Sequence, residues 1–496
     1  MAHNPFDVRL RDPVAKSHFR QPPDDPVVEK FCSTCHVLPP ADAEPRGAWA
    51  RKIQEMYGYA ESKRPWPKTE IPAIEAAIDY WTARAPAALT LPSDATNSPP
   101  SPVLFQRRPV DLAGVPSPPA VSCVRFVRLS DDAPQQLLVS DMRHGAVVLW
   151  NPAQPAATAR VIARIPHPSR TCVVDLDGDG IRDILVANLG VFWPLDTDQG
   201  SVIWLRGRGN EQFEPVVLLS GVGRVNEVSP ADFDGDGDLD IVVAVFGNFT
   251  TGMIVYLENF TEDYAHPDFE PISLDGHTGT SDIPVVDLNG DGRPDFVALQ
   301  AQEHERIIAF LNARRGRFNP VPVAHAPHTR WGSTGIKLAD LDADGDVDIL
   351  WNNGDQVQVP PILRPYHGVA WLENNGSLGF RHHQLTHLPG AHTSHPVDLD
   401  RDGDLDVVSS VFIPAIKPES PDAADLETIV WLSQTAPGQF QRFCLEQGYP
   451  RHPCLDAGDL DGDGDLDLVV GNFVVWEQSE VSPTPSLFVL ENQGGS

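Results

Sequence analysis

The sequence predicts a multidomain chain, a small all-α domain followed by an all-β seven-bladed propeller, and three observations carry that reading. Residues 1–88 hold short segments with apolar side chains at helical spacing, and residues 89–103 are rich in Pro and Ser without periodicity. Residues 104–496 repeat one Asp-rich segment six times. At 496 residues the chain exceeds one ordinary core, whereas a closed repeat holds most of it in a single body.

In the first part, helices are expected over 25–31, 49–57 and 71–84, the last with Ile71, Ile74, Ala77, Ile78 and Trp81 along one face. The segment FCSTCHVLPP sets Cys32 and Cys35 three residues apart, with His36 immediately after. On one helical turn two such sulfurs reach the two vinyl groups of one porphyrin edge, and the following imidazole turns under the iron. A redox dithiol or half a zinc site would need a βαβ pattern or a second Cys pair nearby, and the sequence offers neither.

This segment, over roughly residues 20–88, resembles the small monohaem cytochromes c. The resemblance implies one covalent haem c on Cys32 and Cys35, with His36 as proximal ligand. It also implies a thioether on the distal side, for which Met56 is the candidate, with His18 as a rival and an open position as the other alternative. Haem attachment after export implies a periplasmic or secreted location. The opening residues MAHNPFDVRLRDP lack an apolar core, so a leader is expected to have been removed or to precede this start.

The 69 acidic against 37 basic residues give a formal charge of −32, which disfavours nucleic acid and anionic membranes as partners. No apolar run approaches the roughly 20 residues of a membrane span. Because 27 Asp residues fall in six short loops, the acidity points to local cation binding. The other four cysteines leave two disulfides, Cys444 with Cys454 or Cys123 with Cys172, or four buried thiols equally open.

The six loops begin at Asp175, Asp232, Asp287, Asp340, Asp398 and Asp459, at intervals of 57, 55, 53, 58 and 61 residues, a period that fits four short strands. Oxygens stand at positions 1, 3, 5 and 9, Gly at position 6, and the position 7 carbonyl is free to coordinate, which suits Ca²⁺ better than Mg²⁺. The candidate ligands of the first two loops are Asp175, Asp177, Asp179, Ile181 and Asp183, then Asp232, Asp234, Asp236, Asp238 and Asp240. The third has Asp287, Asn289, Asp291, Arg293 and Asp295, and the fourth Asp340, Asp342, Asp344, Asp346 and Asp348. The last two supply Asp398, Asp400, Asp402, Asp404 and Asp406, then Asp459, Asp461, Asp463, Asp465 and Asp467. Without Glu at position 12 and with strands as flanks, the loop is no EF-hand. Asn289 removes one charge, so the third ion is expected to bind least tightly.

These loops resemble the FG-GAP or VCBS-type repeats of β-propellers, which implies up to six Ca²⁺ ions. A seventh copy without ligands precedes them, with Arg128 and Gln136 in ligand positions. The terminal SLFVLENQGG reads as a third strand whose missing fourth is VLFQRRPVDLAG, so pairing the two ends closes seven blades.

Five residues before the first Asp, three consecutive blades carry Arg170, Glu227 and Asp282, and a later one adds His392 and His395, with Arg330, Trp331 and His452 in comparable segments. Around an axis these form a candidate catalytic or binding set, or polar residues that solvate a channel. The leading expectation is an extracytoplasmic haem c electron-transfer protein whose propeller binds a redox partner protein or an oxidisable substrate. If it is an enzyme, it is an oxidoreductase with haem c as electron outlet. The alternatives are a propeller-based metal-dependent carbohydrate lyase or dehydratase, and an adhesion or carbohydrate-binding module.

Overall fold

The computed structural model describes residues 25–34, 37–63, 71–130, 133–476 and 483–494, together with the backbone of 8–9. Cys35, His36 and His18 lie outside the described residues.

Seven sheets stand around an axis, and in blades 1 to 6 the antiparallel strands follow sequence order from the centre outward, with Val8–Arg9 added in parallel to the outer edge of blade 4. The innermost strands of blades 1 to 3 are Val121–Val127, Pro168–Val174 and Val225–Ala231. Those of blades 5 to 7 are Ser333–Ala339, Ala391–Val397 and Leu455–Gly458. In blade 4 the inner strand is split into Thr280–Asp282 and Val285–Val286, because Pro284 at the break has no N–H for the ladder. The second strand of each blade is buried along its whole length, since neighbouring blades cover both of its faces.

Each core therefore lies between blades. Val174, Leu185 and Trp204 of blade 2 pack with Val228, Val243 and Val255 of blade 3. Blade 7 takes its outer strand from the start of the propeller: Phe105–Val110 pairs antiparallel with Leu487–Asn492, Phe105 opposite Asn492 and Val110 opposite Leu487. Val110, Val469 and Val489 then share a core with Val121, Val124 and Leu137 of blade 1. The expected closure and the count of seven blades are both observed.

Three helices precede the ring, α1 (Pro26–Cys32), α2 (Arg46–Lys63) and α3 (Ile74–Arg84). Asp25 caps α1 by accepting the Val27 and Val28 N–H groups, with Pro26 in the first turn. Stacked Trp49 and Trp81, 4.3 Å apart, form the small core with Val28, Ile53 and Ala77. Helix α3 begins three residues later than the spacing predicts. Pro72 disfavours helical backbone at Ile71, which is 49% exposed. No helix among the described residues is long and apolar enough to cross a membrane.

The helical unit is seated on the propeller. Ala43 enters the core between blades 4 and 5, and the Tyr366 hydroxyl donates to its carbonyl. Glu44, 1% exposed, accepts from Arg330 Nε and Arg364 Nη2, each at 2.8 Å. Burial alone would raise the Glu44 pKa, but the two guanidinium groups outweigh it and hold the carboxyl below its ordinary range. Residues 89–103 are fixed along blade 6. Glu427 accepts the Asn97 and Ser98 N–H groups, and Arg442 donates to the Asp94 carbonyl.

Candidate functional site

Each Asp loop is wound by its own backbone. In the first five, the position 6 N–H donates to the position 1 carboxylate, at 2.8 to 3.2 Å. Position 6 has a positive φ throughout, 103° at Gly237 and 100° at Gly403, where a Cβ would be strained. Position 9 has a second task. Both oxygens of Asp183 accept backbone N–H groups, from Leu176 at 2.9 Å and Gly207 at 2.6 Å, tying the loop to the third strand. Asp240, Asp295, Asp348, Asp406 and Asp467 make the same clamp in their blades.

Five loops bring three carboxylate oxygens within 4.8 Å of one another: Asp175, Asp177 and Asp183; Asp232, Asp234 and Asp236; Asp340, Asp342 and Asp344; Asp398, Asp400 and Asp402; Asp459, Asp461 and Asp467. Buried Oδ1 atoms of Asp175, Asp342 and Asp398 have no hydrogen-bond donor, which fits a cation among them. The third loop forms no such group of acidic residues, and there Arg293 turns back onto Asp291.

On the opposite face, a cavity of about 1300 Å³ separates the helices from the propeller. Phe31, Cys32, Trp49, Ile53, Met56 and Trp81 line its helical side, and Phe192, Trp193, Phe249, Phe412 and Phe473 its propeller side. Tyr59 bridges the two, its ring 4.7 Å from Phe249. Burial raises the Cys32 pKa, and the Trp81 indole N–H beside that thiol has no oxygen acceptor. Cys32 at the end of α1 and Met56 on α2 thus face one aromatic-walled void, which among the described residues leaves room beside the thiol for a planar group.

The cavity continues into the axial channel, where Arg170, Glu227 and Asp282 meet as their spacing predicts. Arg170 Nη1 lies 2.7 Å from Asp282 Oδ1 and 3.1 Å from Glu227 Oε2. Burial would lower the Arg170 pKa, but Asp282 and Glu227 outweigh it and hold it above its ordinary value. The guanidinium thus takes one oxygen of each carboxylate, and the buried Asp282 Oδ2 keeps no hydrogen-bond partner among the described residues. His392 Nδ1 is 2.9 Å from the Pro453 carbonyl, and His395 Nδ1 is 3.3 Å from Asp456 Oδ1. Burial pushes His392 down to about 4, so it is a neutral imidazole.

Arg330 lines the cavity while holding Glu44, whereas Trp331 is core and His452 pairs with Glu446. Sequence reasoning missed Arg125, Lys337 and Asp456, which also line the channel. They stand three residues before the first loop position of their blades, one strand period from the level that was counted. Cys123, Cys172, Cys444 and Cys454 are all free thiols.

Glu305, 3% exposed, also lines the cavity and accepts from Gly332 N at 3.2 Å and Ser333 N at 3.0 Å. Burial outweighs these bonds and pushes its pKa up from 4.5 to about 7. The folded carboxyl holds its proton more tightly than the unfolded one. Its contribution is full below 4.5 and lost as pH rises through about 7, a change of about 3 kcal/mol. With calcium in excess, wild-type stability relative to Glu305→Gln is expected to fall by that amount between about pH 5 and about pH 8 in urea titrations. Parallel pH profiles for the two proteins would refute the assignment.

The family described as "FG-GAP-like repeat" matches residues 137–243 and 269–351. Within those residues, which fall in blades 1 to 5, the chain carries FG-GAP-like repeats. Blades 6 and 7, beyond the matched residues, repeat the clamp of the FG-GAP loops through Asp406 and Asp467. Among solved structures, the chain is similar to one described as "Crystal structure of BBS1N in complex with ARL6DN, soaked with lead". The identity is 12%, over 79% of this chain and 97% of that one, with a TM-score of 0.43, a distant likeness.

Proposed function

We propose that this FG-GAP propeller is the binding half of an extracytoplasmic electron-transfer protein, with haem c on Cys32 and Cys35, His36 as proximal ligand and Met56 as distal ligand. The observation that carries the reading is the shared cavity, with Cys32 and Met56 on one wall and the propeller axis opening into the other. When bound, the haem supplies a one-electron couple.

The chain's own residues do the rest. Trp49, Ile53 and Trp81 would exclude water from the helical side of a bound group, and Met56 would offer it a thioether, a ligand type that favours reduced iron. Glu44, held by Arg330 and Arg364, fixes the distance between the helical unit and the propeller face on which a redox partner or an oxidisable substrate binds. Up to six Ca²⁺ ions in the Asp loops brace that face from below, and a periplasmic or secreted location follows from the haem attachment. The second reading, a binding or adhesion module, is favoured by the repeats themselves.

The purified protein is expected to show reduced-haem absorption bands that survive acid-acetone extraction. Cys32→Ala with Cys35→Ala abolishes them, and Met56→Ala lowers the reduction potential. Haem that extracts freely, or protein isolated without haem from a host competent to attach it, would favour the adhesion reading.

A further inference from the structure

Although the chain carries 32 more acidic than basic charges, the void at its centre is lined by Arg125, Lys337 and Arg224 beside the acids Glu305, Asp355 and Asp456. Arg125 and Lys337, on the inner strands of blades 1 and 5, line the axial channel and meet no hydrogen-bond acceptor among the described residues. Arg224, immediately before the inner strand of blade 3, lines the same void, and its buried Nε is also without an acceptor. Burial lowers the pKa of Lys337, helped by Arg125 and Arg170, and pushes Arg224 down to about 10. The nearby acids are only partly engaged: Asp282 Oδ2 is buried without a donor among the described residues, and Asp355 also lines the void. Glu227 accepts from Ile283 N and pairs with Arg170, which also holds Asp282, while Asp456 accepts from Phe126 N and faces His395. Burial alone would lower the Arg125 pKa, but nearby groups, Glu227 and Asp456 among them, hold it above its ordinary value, whereas burial dominates at Lys337 and Arg224; a bound anion offsets the desolvation cost of those two cations.

We propose that the axial channel is a binding site for a small oxyanion, a carboxylate or a tetrahedral oxyanion, held between Arg125 and Lys337 and admitted past Arg224. Two half-buried cations facing one lumen supply the charge, the guanidinium can grip two oxygens at once, and the aromatic walls above accept an apolar body attached to the anionic group. The inference deepens the proposed binding role by naming the class of ligand, and it does not depend on the haem.

The test uses the full chain in excess calcium, with sodium sulfate and sodium acetate as probes and sodium chloride at equal ionic strength as reference. Equilibrium dialysis with labelled sulfate is expected to give close to one saturable equivalent per chain, and sulfate to raise the melting temperature by about 3 °C beyond chloride. Lys337→Met and Arg125→Met each abolish the dialysis signal and the excess shift. Both replace a half-buried cation that makes no hydrogen bond among the described residues by an apolar chain and are expected to fold; Arg224→Gln provides a third variant that weakens binding. If acetate protects and sulfate does not, the natural ligand is a carboxylate. No saturable binding of either probe, or equal shifts in wild type and variants, overturns the site. Absent binding with full haem absorption counts against this site alone, and intact binding without haem counts against electron transfer alone.

Discussion

Stripping calcium with excess EGTA is expected to lower the melting temperature by at least about 10 °C, the largest effect anticipated for this protein. Five loops hold three carboxylate oxygens within 4.8 Å, and several of these oxygens are buried without a donor. An ion present at about a thousand times its dissociation constant contributes about 4 kcal/mol per site, and its removal also exposes the repulsion it had cancelled. Titration back with Ca²⁺ should show five tight equivalents and one weaker, because the third loop has Asn289 in place of a carboxylate and Asp291 already pairs with Arg293. Asp342→Asn should remove one tight equivalent and leave the others. A melting temperature unchanged by EGTA would refute ion binding in these loops, and six equal equivalents would refute the ranking.

Glu44→Gln is expected to destabilise the seating of the helical unit by about 3 kcal/mol, because it leaves Arg364 buried and Arg330 half-buried without a neutralising charge. Limited proteolysis should then separate the helices from the propeller under conditions that leave the wild type intact. Replacing all three groups together, Glu44→Leu with Arg330→Met and Arg364→Met, should recover most of the loss, since an apolar contact of similar volume needs no counter-charge. A Glu44→Gln protein as protease-resistant as wild type would show that the ion triad does not hold the two parts together.

The ring was legible because its loops repeat. Six copies of one Asp pattern fix the number of ligand-bearing blades, and strands recognisable on either side of them supply the seventh and its closure. The axis was half legible. Counting five residues back from each loop finds Arg170, Glu227 and Asp282 because blades 2 to 4 carry their charges at that level. In blades 5 to 7 the charges of Lys337, His395 and Asp456 lie three residues back, on the same side of the strand and one step along it. Arg125 was hidden because blade 1 has no Asp from which to count. The clamp made by position 9 was invisible for another reason: a carboxylate at fixed spacing reads the same whether it faces an ion or two backbone N–H groups. Neither the cavity nor the grip on Glu44 could be read at all, because both arise where the helical unit meets the propeller, far away in sequence.

The pairing of Phe105–Val110 with Leu487–Asn492 imposes an order on biogenesis. Arg108 and Glu491, which meet in that pairing, are separated by 383 residues, so the strand made first in the ring waits for the last one. Until then every partial chain offers two unsatisfied sheet edges, and a ribosome that stops short yields a product primed to join another copy rather than itself. The helices need no such wait for their own small core, but their seat exists only once blades 4 and 5 have formed. Quality control on this protein therefore comes down to a single late event, the meeting of its two ends.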